Sequence, residues 1–322
     1  MIELPPRVDV REVGPRDGLQ IERPIDTADK IRLIDALVAT GVRRIEATAF
    51  VSPRAVPAMA DAEAVAEYVR AVPGVDWSGL VASPNGARRA VATGLRTVEY
   101  VVSASDGHSR ANARRSTRQA VDEVAEVARI VHDAGGRLEV IIAVSWDCPF
   151  DGPTDPARTA GIAARAVELG ADQLCFGDTI GTTTPVRVWR LFDAVRAALG
   201  GAPGADAVPL GAHFHNTRGT GIASAFAAVL TGITRLDASV GGLGGCPFAP
   251  GASGNIATEE LVYVLDDAGI GTGVDLAAVL AASALATELV GHPLESNLFR
   301  AGGRNRPRGA PAAAGDPPRP AG

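Results

Sequence analysis

The run Val208-Pro-Leu-Gly-Ala-His213-Phe-His215-Asn216 ends on two histidines one residue apart. Side chains on a strand alternate faces, so residues i and i+2 point the same way. Two imidazoles side by side at a strand end can serve as two ligands to one metal ion. Other segments supply further reactive groups: Arg16 and Asp17 in Gly14-Pro-Arg-Asp-Gly18, Glu46 and Thr48 in Arg44–Phe50, Asp178-Thr179, Cys246 in a glycine-rich stretch from Gly241, and Asn255 at that stretch's end. Each has a plainer reading. Asp17-Gly18 makes a turn, Asn255 caps a helix starting near Thr258, Glu46 pairs internally with Arg16, Asp178-Thr179 opens a helix, and Cys246 is an unreactive thiol in a permissive connection. The choice depends on whether one fold brings them together.

The elements that would position them can be read from periodicity. Candidate strands are Val8–Val13, Arg44–Phe50, Trp77–Ala82, Thr97–Ser103, Leu138–Ser145, Gln173–Asp178, Val208–His215 and Arg235–Val240. Between them lie segments with apolar residues three and four apart, among them 30–38, 119–131 and 156–169, and glycines such as Gly41, Gly94, Gly135 and Gly170 stand where helices should end. Strands alternating with helices in this number predict a (β/α)8 TIM barrel. The rival, a doubly wound open sheet, would want a phosphate loop after its first strand, and Glu12-Val-Gly-Pro-Arg-Asp-Gly18 is not GxGxxG. Two further helices are expected at about 258–267 and 276–290, within one domain spanning residues 1–301. Residues 302–322, rich in Pro, Gly, Ala and Arg without periodicity, read as a disordered tail.

Composition narrows the function. The chain has 322 residues, 46% of them hydrophobic, with a formal net charge of −6, which speaks against a nucleic-acid partner. No apolar run has the length of a membrane span, and the start of the chain lacks the pattern of a secretion signal. Cys148, Cys175 and Cys246 form neither a disulfide framework nor a CxxC motif, and a cytoplasmic setting is expected. Lys30 is the only lysine and lies in a helical segment rather than at a strand end, so Schiff-base chemistry is not expected.

In a barrel, the active site forms at the C-terminal strand ends. Closure makes the eighth strand a neighbour of the first. Asp17, His213, His215 and Asn255 can then converge without any long reach. Two imidazoles, a carboxylate and an amide oxygen suit Mg²⁺ or Mn²⁺ with positions left for a chelating substrate; Zn²⁺ is an alternative, since two His and a carboxylate also form a catalytic zinc set. The glycine-rich stretch reads as a lid that delivers Cys246 on closure.

At these residues the chain resembles the 3-hydroxy-3-methylglutaryl-CoA lyase family of the DRE-TIM metallolyase group. The matching segments are Glu12-Val-Gly-Pro-Arg-Asp-Gly-Leu-Gln20, Ile45-Glu-Ala-Thr-Ala-Phe-Val-Ser-Pro53, Cys148-Pro-Phe-Asp-Gly152, Gly177-Asp-Thr-Ile-Gly181, His213-Phe-His215, Gly242-Leu-Gly-Gly-Cys-Pro-Phe248 and Gly251-Ala-Ser-Gly-Asn255. The resemblance implies a divalent-metal-dependent carbon–carbon lyase that converts 3-hydroxy-3-methylglutaryl-CoA, or a related branched 3-hydroxyacyl-CoA, to acetyl-CoA and acetoacetate or the matching 3-oxo acid, as in leucine degradation. It implies Asp17, His213, His215 and Asn255 as metal ligands, Arg16 and Cys246 as the catalytic pair, and Glu46 as a supporting acid. The partner is an acyl-CoA thioester, and the expected assembly is a homo-oligomer, a dimer. A metal-bound water, His213 and Glu46 all remain open as the base that deprotonates the hydroxyl. The chain departs from the pattern at Asn216-Thr-Arg218-Gly and at Ala49, close to where the acyl group would lie. The alternative functions are a Claisen-condensing synthase of the isopropylmalate or homocitrate type, a metal-dependent aldolase, and a barrel that has lost catalysis.

Overall fold

The computed structural model describes residues 4–200, 208–245 and 254–303. Cys246 and most of the expected tail therefore lie outside the described residues. Eight parallel strands close into a barrel in chain order: β1 (Asp9–Glu12), β2 (Arg44–Phe50), β3 (Asp76–Val81), β4 (Thr97–Ser103), β5 (Arg137–Ala143), β6 (Gln173–Asp178), β7 (Leu210–Phe214) and β8 (Arg235–Ala238). Every candidate strand is present. A small antiparallel hairpin, Asp147–Cys148 with Gly152–Pro153, follows β5.

The helices pack apolar stripes on the outside of this barrel. In Thr27–Ala39 the buried positions include Leu33, Ile34 and Leu37, three and four apart; in Pro185–Leu199 they include Val188, Leu191, Phe192 and Val195. Phe192 meets Phe176 of β6 edge to face at 5.4 Å between centroids. Thr258–Asp267 and Leu276–Val290 are helical, as expected. The expected 119–131 helix is divided at Glu123 into Thr117–Asp122 and Val124–Asp133, although Glu123 keeps right-handed helical angles; its carboxylate takes the Tyr100 hydroxyl and the Arg115 guanidinium. β8 stops two residues early because the chain turns over Val240–Gly242, where Gly241 has φ 66° and an added Cβ would sit 2.2 Å from the Leu294 side chain. Lys30 is bonded to Asp61 and to the Ala58 carbonyl, so it takes no part at the barrel mouth.

The inside of the barrel differs from the usual layers of branched aliphatics. Arg11, Glu46, Glu99, Glu139 and Asp237 are all buried there. Arg11 lies 2.7 Å from a carboxylate oxygen of each of Glu99, Glu139 and Asp237. A buried charge is tolerable only when paired. Each of these charged residues sits inside a predicted strand, and closure brings their partners within reach.

Candidate active site

Strand register builds the site. Arg11 of β1 pairs with Asp237 of β8, and Asp237 pairs with His213 of β7, so the three stand in one row across adjacent strands. Beyond Glu12 the backbone tightens into a π-helical turn, Gly14–Gly18, in which the amides of Arg16, Asp17 and Gly18 all donate to the Val13 carbonyl. That turn sets Arg16 and Asp17 side by side over the mouth. Asn255 arrives from the far end of the chain. It forms an antiparallel bridge with His215, with the Asn216 amide donating to Gly254 and the Ile256 amide to Phe214.

Asp17, His213 and His215 each offer a ligand atom, and these atoms lie within 4.8 Å of one another. The two imidazoles face each other through Nε2, 3.1 Å apart; Asp17 Oδ2 is 3.8 Å from Nε2 of His213 and 3.9 Å from Nε2 of His215. Burial and the neighbouring imidazole lower the His215 pKa to about 4, with the Arg16 charge adding to the effect and Asp17 opposing it, so its ring is neutral near pH 7 with a lone pair to offer. Burial alone would raise the Asp17 pKa; the Arg16 guanidinium and the two imidazoles outweigh it and hold it at about 2. Asn255 donates through Nδ2 to Asp17 Oδ2 (2.8 Å) and to the Leu243 carbonyl (3.1 Å). Its Oδ1 is buried without a hydrogen-bond partner among the described residues. A buried acceptor left unpaired is costly, and a cation beside it would satisfy it.

Charge balance points the same way. Asp17 and Glu46 share the guanidinium of Arg16, and Glu99, Glu139 and Asp237 share that of Arg11. A buried mouth with more carboxylates than cations fits a divalent ion, and the mixed oxygen and nitrogen donors fit Mg²⁺, Mn²⁺ or Zn²⁺.

Arg16 is clamped by Glu46 (Nε to Oε1, 2.6 Å) and by Asp17 (Nη1 to Oδ1, 2.5 Å). Burial works against its charge, but those two carboxylates more than compensate. Burial lifts the Glu46 carboxyl well above the usual range; Arg16 pulls it down and Glu99 pushes it up further. The ion pair read as the plain alternative for Glu46 is thus present, and it holds the guanidinium at the mouth. Thr48 does not join it: the register shifts between Glu46 and Thr48, and the Thr48 hydroxyl lies against Met59. Asp178 holds a turn by accepting from the amides of Thr182 and Thr183, and Thr179 accepts from Val144. The two departures at 216 and 218 make structural bonds. Asn216 accepts from the Gly221 amide, and Arg218 donates to the Ile180 and Gly181 carbonyls.

Sequence reasoning missed Glu12, Arg11 and Asp237. The available signal was a charged residue within a strand predicted to be buried on both faces. Glu12 accepts from the amides of Gly14 (2.8 Å) and Val240 (2.9 Å) and from the Thr258 hydroxyl (2.6 Å), tying β1, the turn after β8 and the next helix together. Burial outweighs these bonds and raises its pKa from 4.5 to about 7. The folded protein therefore holds this proton more tightly than the unfolded chain. Stability falls as pH rises from about 4.5 to about 7, by roughly 3 kcal/mol, and is level beyond that window. A glutamine can keep all three bonds, with Oε1 accepting both amides and Nε2 donating to Thr258. Urea unfolding of Glu12→Gln should lose this part of the pH slope; a slope equal to that of the unaltered protein would assign it elsewhere.

The HMGL-like family model matches residues 7–286. The chain is 40% identical over 306 residues to the (R)-citramalyl-CoA lyase of Chloroflexus aurantiacus, covering 92% of this chain and 95% of that one. It is 42% identical over 273 residues to the hydroxymethylglutaryl-CoA lyase of Pseudomonas mevalonii, covering 84% and 89%. The crystal structure of hydroxymethylglutaryl-CoA lyase from Pseudomonas aeruginosa superposes with a TM-score of 0.86 at 37% identity, covering 92% of this chain and 97% of that one.

Proposed function

The chain belongs to the HMGL-like family of lyases, and from that premise we propose that it is a divalent-metal-dependent carbon–carbon lyase acting on a branched 3-hydroxyacyl-CoA, with 3-hydroxy-3-methylglutaryl-CoA as its substrate. The observation that carries this reading is the clustering of Asp17, His213 and His215 within 4.8 Å, with the Arg16 guanidinium bonded to Asp17. Asp17, His213, His215 and the unpartnered Asn255 Oδ1 would hold the ion. When bound, it supplies Lewis acidity that lowers the pKa of the substrate's tertiary hydroxyl.

The chain's own groups account for the rest. As the hydroxyl proton leaves, the bond between the hydroxyl-bearing carbon and the carbon next to the thioester breaks. Its electron pair forms the acetyl-CoA enolate, and the hydroxyl oxygen becomes the ketone of acetoacetate. The Arg16 guanidinium, fixed by two carboxylates, stabilises the enolate oxygen as charge develops. Lysine could not reproduce that planar fork. Glu46, with its raised pKa, can take up the departing proton. Cys246, outside the described residues, is the acid that protonates the enolate carbon. Among the described residues no helix is long and apolar enough to cross a membrane, and Cys148 and Cys175 are free thiols, which suits a reducing cytoplasm.

A second reading rests on the citramalyl-CoA lyase relative. A citramalyl thioester is one methylene shorter between hydroxyl carbon and carboxylate, and the same cleavage would give acetyl-CoA and pyruvate. One methylene is worth about 1–3 kcal/mol of discrimination, so the two substrates should differ measurably in kcat/KM. Protein stripped of metal and resupplied with Mg²⁺ or Mn²⁺ is expected to release acetyl-CoA from 3-hydroxy-3-methylglutaryl-CoA, with acetoacetate identified by mass spectrometry. A higher kcat/KM on citramalyl-CoA would replace the substrate and keep the reaction. Failure on both, with thiol release from acetyl-CoA plus a 2-oxo acid, would move the chain to the condensing synthases.

A further inference from the structure

We propose that Asp237, gripped by Arg11, is a positioning residue that fixes the proton of His213 on Nδ1 and so sets the affinity of the metal centre. The proposal rests on the reading of His213 as a metal ligand. Asp237 Oδ2 lies 3.2 Å from His213 Nδ1, and both residues stand in the same register row. Arg11 holds the carboxylate with two parallel bonds, Nε to Oδ1 at 2.8 Å and Nη2 to Oδ2 at 2.7 Å. Its remaining nitrogen, Nη1, is 2.7 Å from both Glu99 and Glu139, so the guanidinium is committed on every side and cannot swing away. The Cys175 thiol approaches the same Oδ2 at 3.7 Å.

The chemistry follows from what each group can donate. An ionised carboxylate only accepts, so the bond to His213 requires the imidazole proton on Nδ1. Arg11 grips both oxygens of Asp237, and a guanidinium paired in that way keeps the carboxylate in its ionised, accepting form. The lone pair is then on Nε2, which faces His215 Nε2 and Asp17 Oδ2. A free imidazole populates both tautomers, and the wrong one would place a hydrogen where the ion must sit. A carboxylate behind a ligand histidine also raises its basicity, and loss of such a partner weakens metal affinity about 10–100-fold. Arg11 is the second half of the device. Without its fork, the carboxylate could rotate toward solvent or toward Cys175.

The test uses full-length protein and reads metal uptake and tautomer rather than turnover. Asp237→Asn keeps the shape and leaves Arg11 paired with Glu99 and Glu139, but a carboxamide can offer N–H to Nδ1 and drive the proton to Nε2. Calorimetric titration with Mn²⁺ should show affinity about 10–100-fold weaker, and nitrogen-15 NMR of the metal-free protein should show His213 changing from the Nδ1–H to the Nε2–H form. Arg11→Lys, which keeps the charge and loses the fork, should weaken Mn²⁺ less. A purely structural role would lower the melting temperature without moving the tautomer, and that result overturns the proposal. So does unchanged Mn²⁺ affinity in a folded Asp237→Asn. If the unaltered protein takes up no Mn²⁺, the metal reading itself fails, which is distinguishable because its tautomer is read without metal.

Discussion

Replacing Arg16 by Gln should lower kcat by about 10²–10³-fold, the usual loss when a donor to a developing oxyanion is removed, while Mn²⁺ uptake stays close to that of the unaltered protein. Two effects on the metal oppose each other. Arg16 orients Asp17 through a 2.5 Å bond, and losing it frees that carboxylate. Its positive charge also repels a neighbouring cation, and losing that favours the ion. The guanidinium's contribution to the transition state has no such offset. Glu46 would lose its cation in the variant, and a neutral, protonated Glu46 would keep the fold intact, since burial already favours that form. Arg16→Lys should recover only a small part of the rate. Cys246→Ser belongs with this test: as a poorer acid it should lower turnover and leave metal uptake alone. Steady-state kinetics beside Mn²⁺ calorimetry separate the outcomes. Parallel loss of turnover and affinity in both variants would reassign this pair from catalysis to holding the ion.

Asp17→Asn is expected to act the other way round, removing metal binding first and activity with it. Asp17 brings the only formal negative charge to the donor set, the others being two imidazoles and an amide. Mg²⁺ and Mn²⁺ depend on charged oxygen ligands. The loss of Mn²⁺ affinity should therefore exceed the roughly 10–100-fold typical of a residue behind the ligands. Asn255→Ala should weaken the ion less, because a neutral carbonyl dipole is removed rather than a charge. The asparagine at 17 has nearly the same shape and leaves Arg16 paired with Glu46, so the fold should persist. Equal Mn²⁺ affinity in Asp17→Asn and the unaltered protein would remove Asp17 from the ligand set and leave the two histidines without their charged partner.

These effects can be anticipated because much of the molecule is legible in its pattern of residue types. Alternating apolar runs and three- and four-residue spacing are local properties, and they located every barrel strand and the two helices Thr258–Asp267 and Leu276–Val290. Less legible were the places where the backbone leaves a regular path. The π-helical turn Gly14–Gly18 shortens β1, and the turn at Val240–Gly242 shortens β8. Both depend on contacts from elsewhere in the chain: Glu12 accepts from the amides of Gly14 and Val240, and Leu294 lies against Gly241. Arg11 and Asp237, which stand behind His213, were hidden for the same reason. A charged residue in a buried strand signals that a partner exists, but its identity depends on register around the closed barrel.

The residue pattern by itself determined the fold class, the strand ends where chemistry gathers, and the candidates Asp17, His213, His215 and Asn255. Each of those follows from a local period or from the rule that barrel sites form at strand ends. Tertiary structure alone decided how the charges are apportioned. Residues 226 positions apart, Arg11 and Asp237, become partners because β1 and β8 are hydrogen-bonded neighbours. Asn255 reaches Asp17 across 238 positions because its segment bridges back to His215 at the end of β7. Buried charge must be neutralised within a few ångströms, and sequence distance carries no information about which opposite charge will be that close.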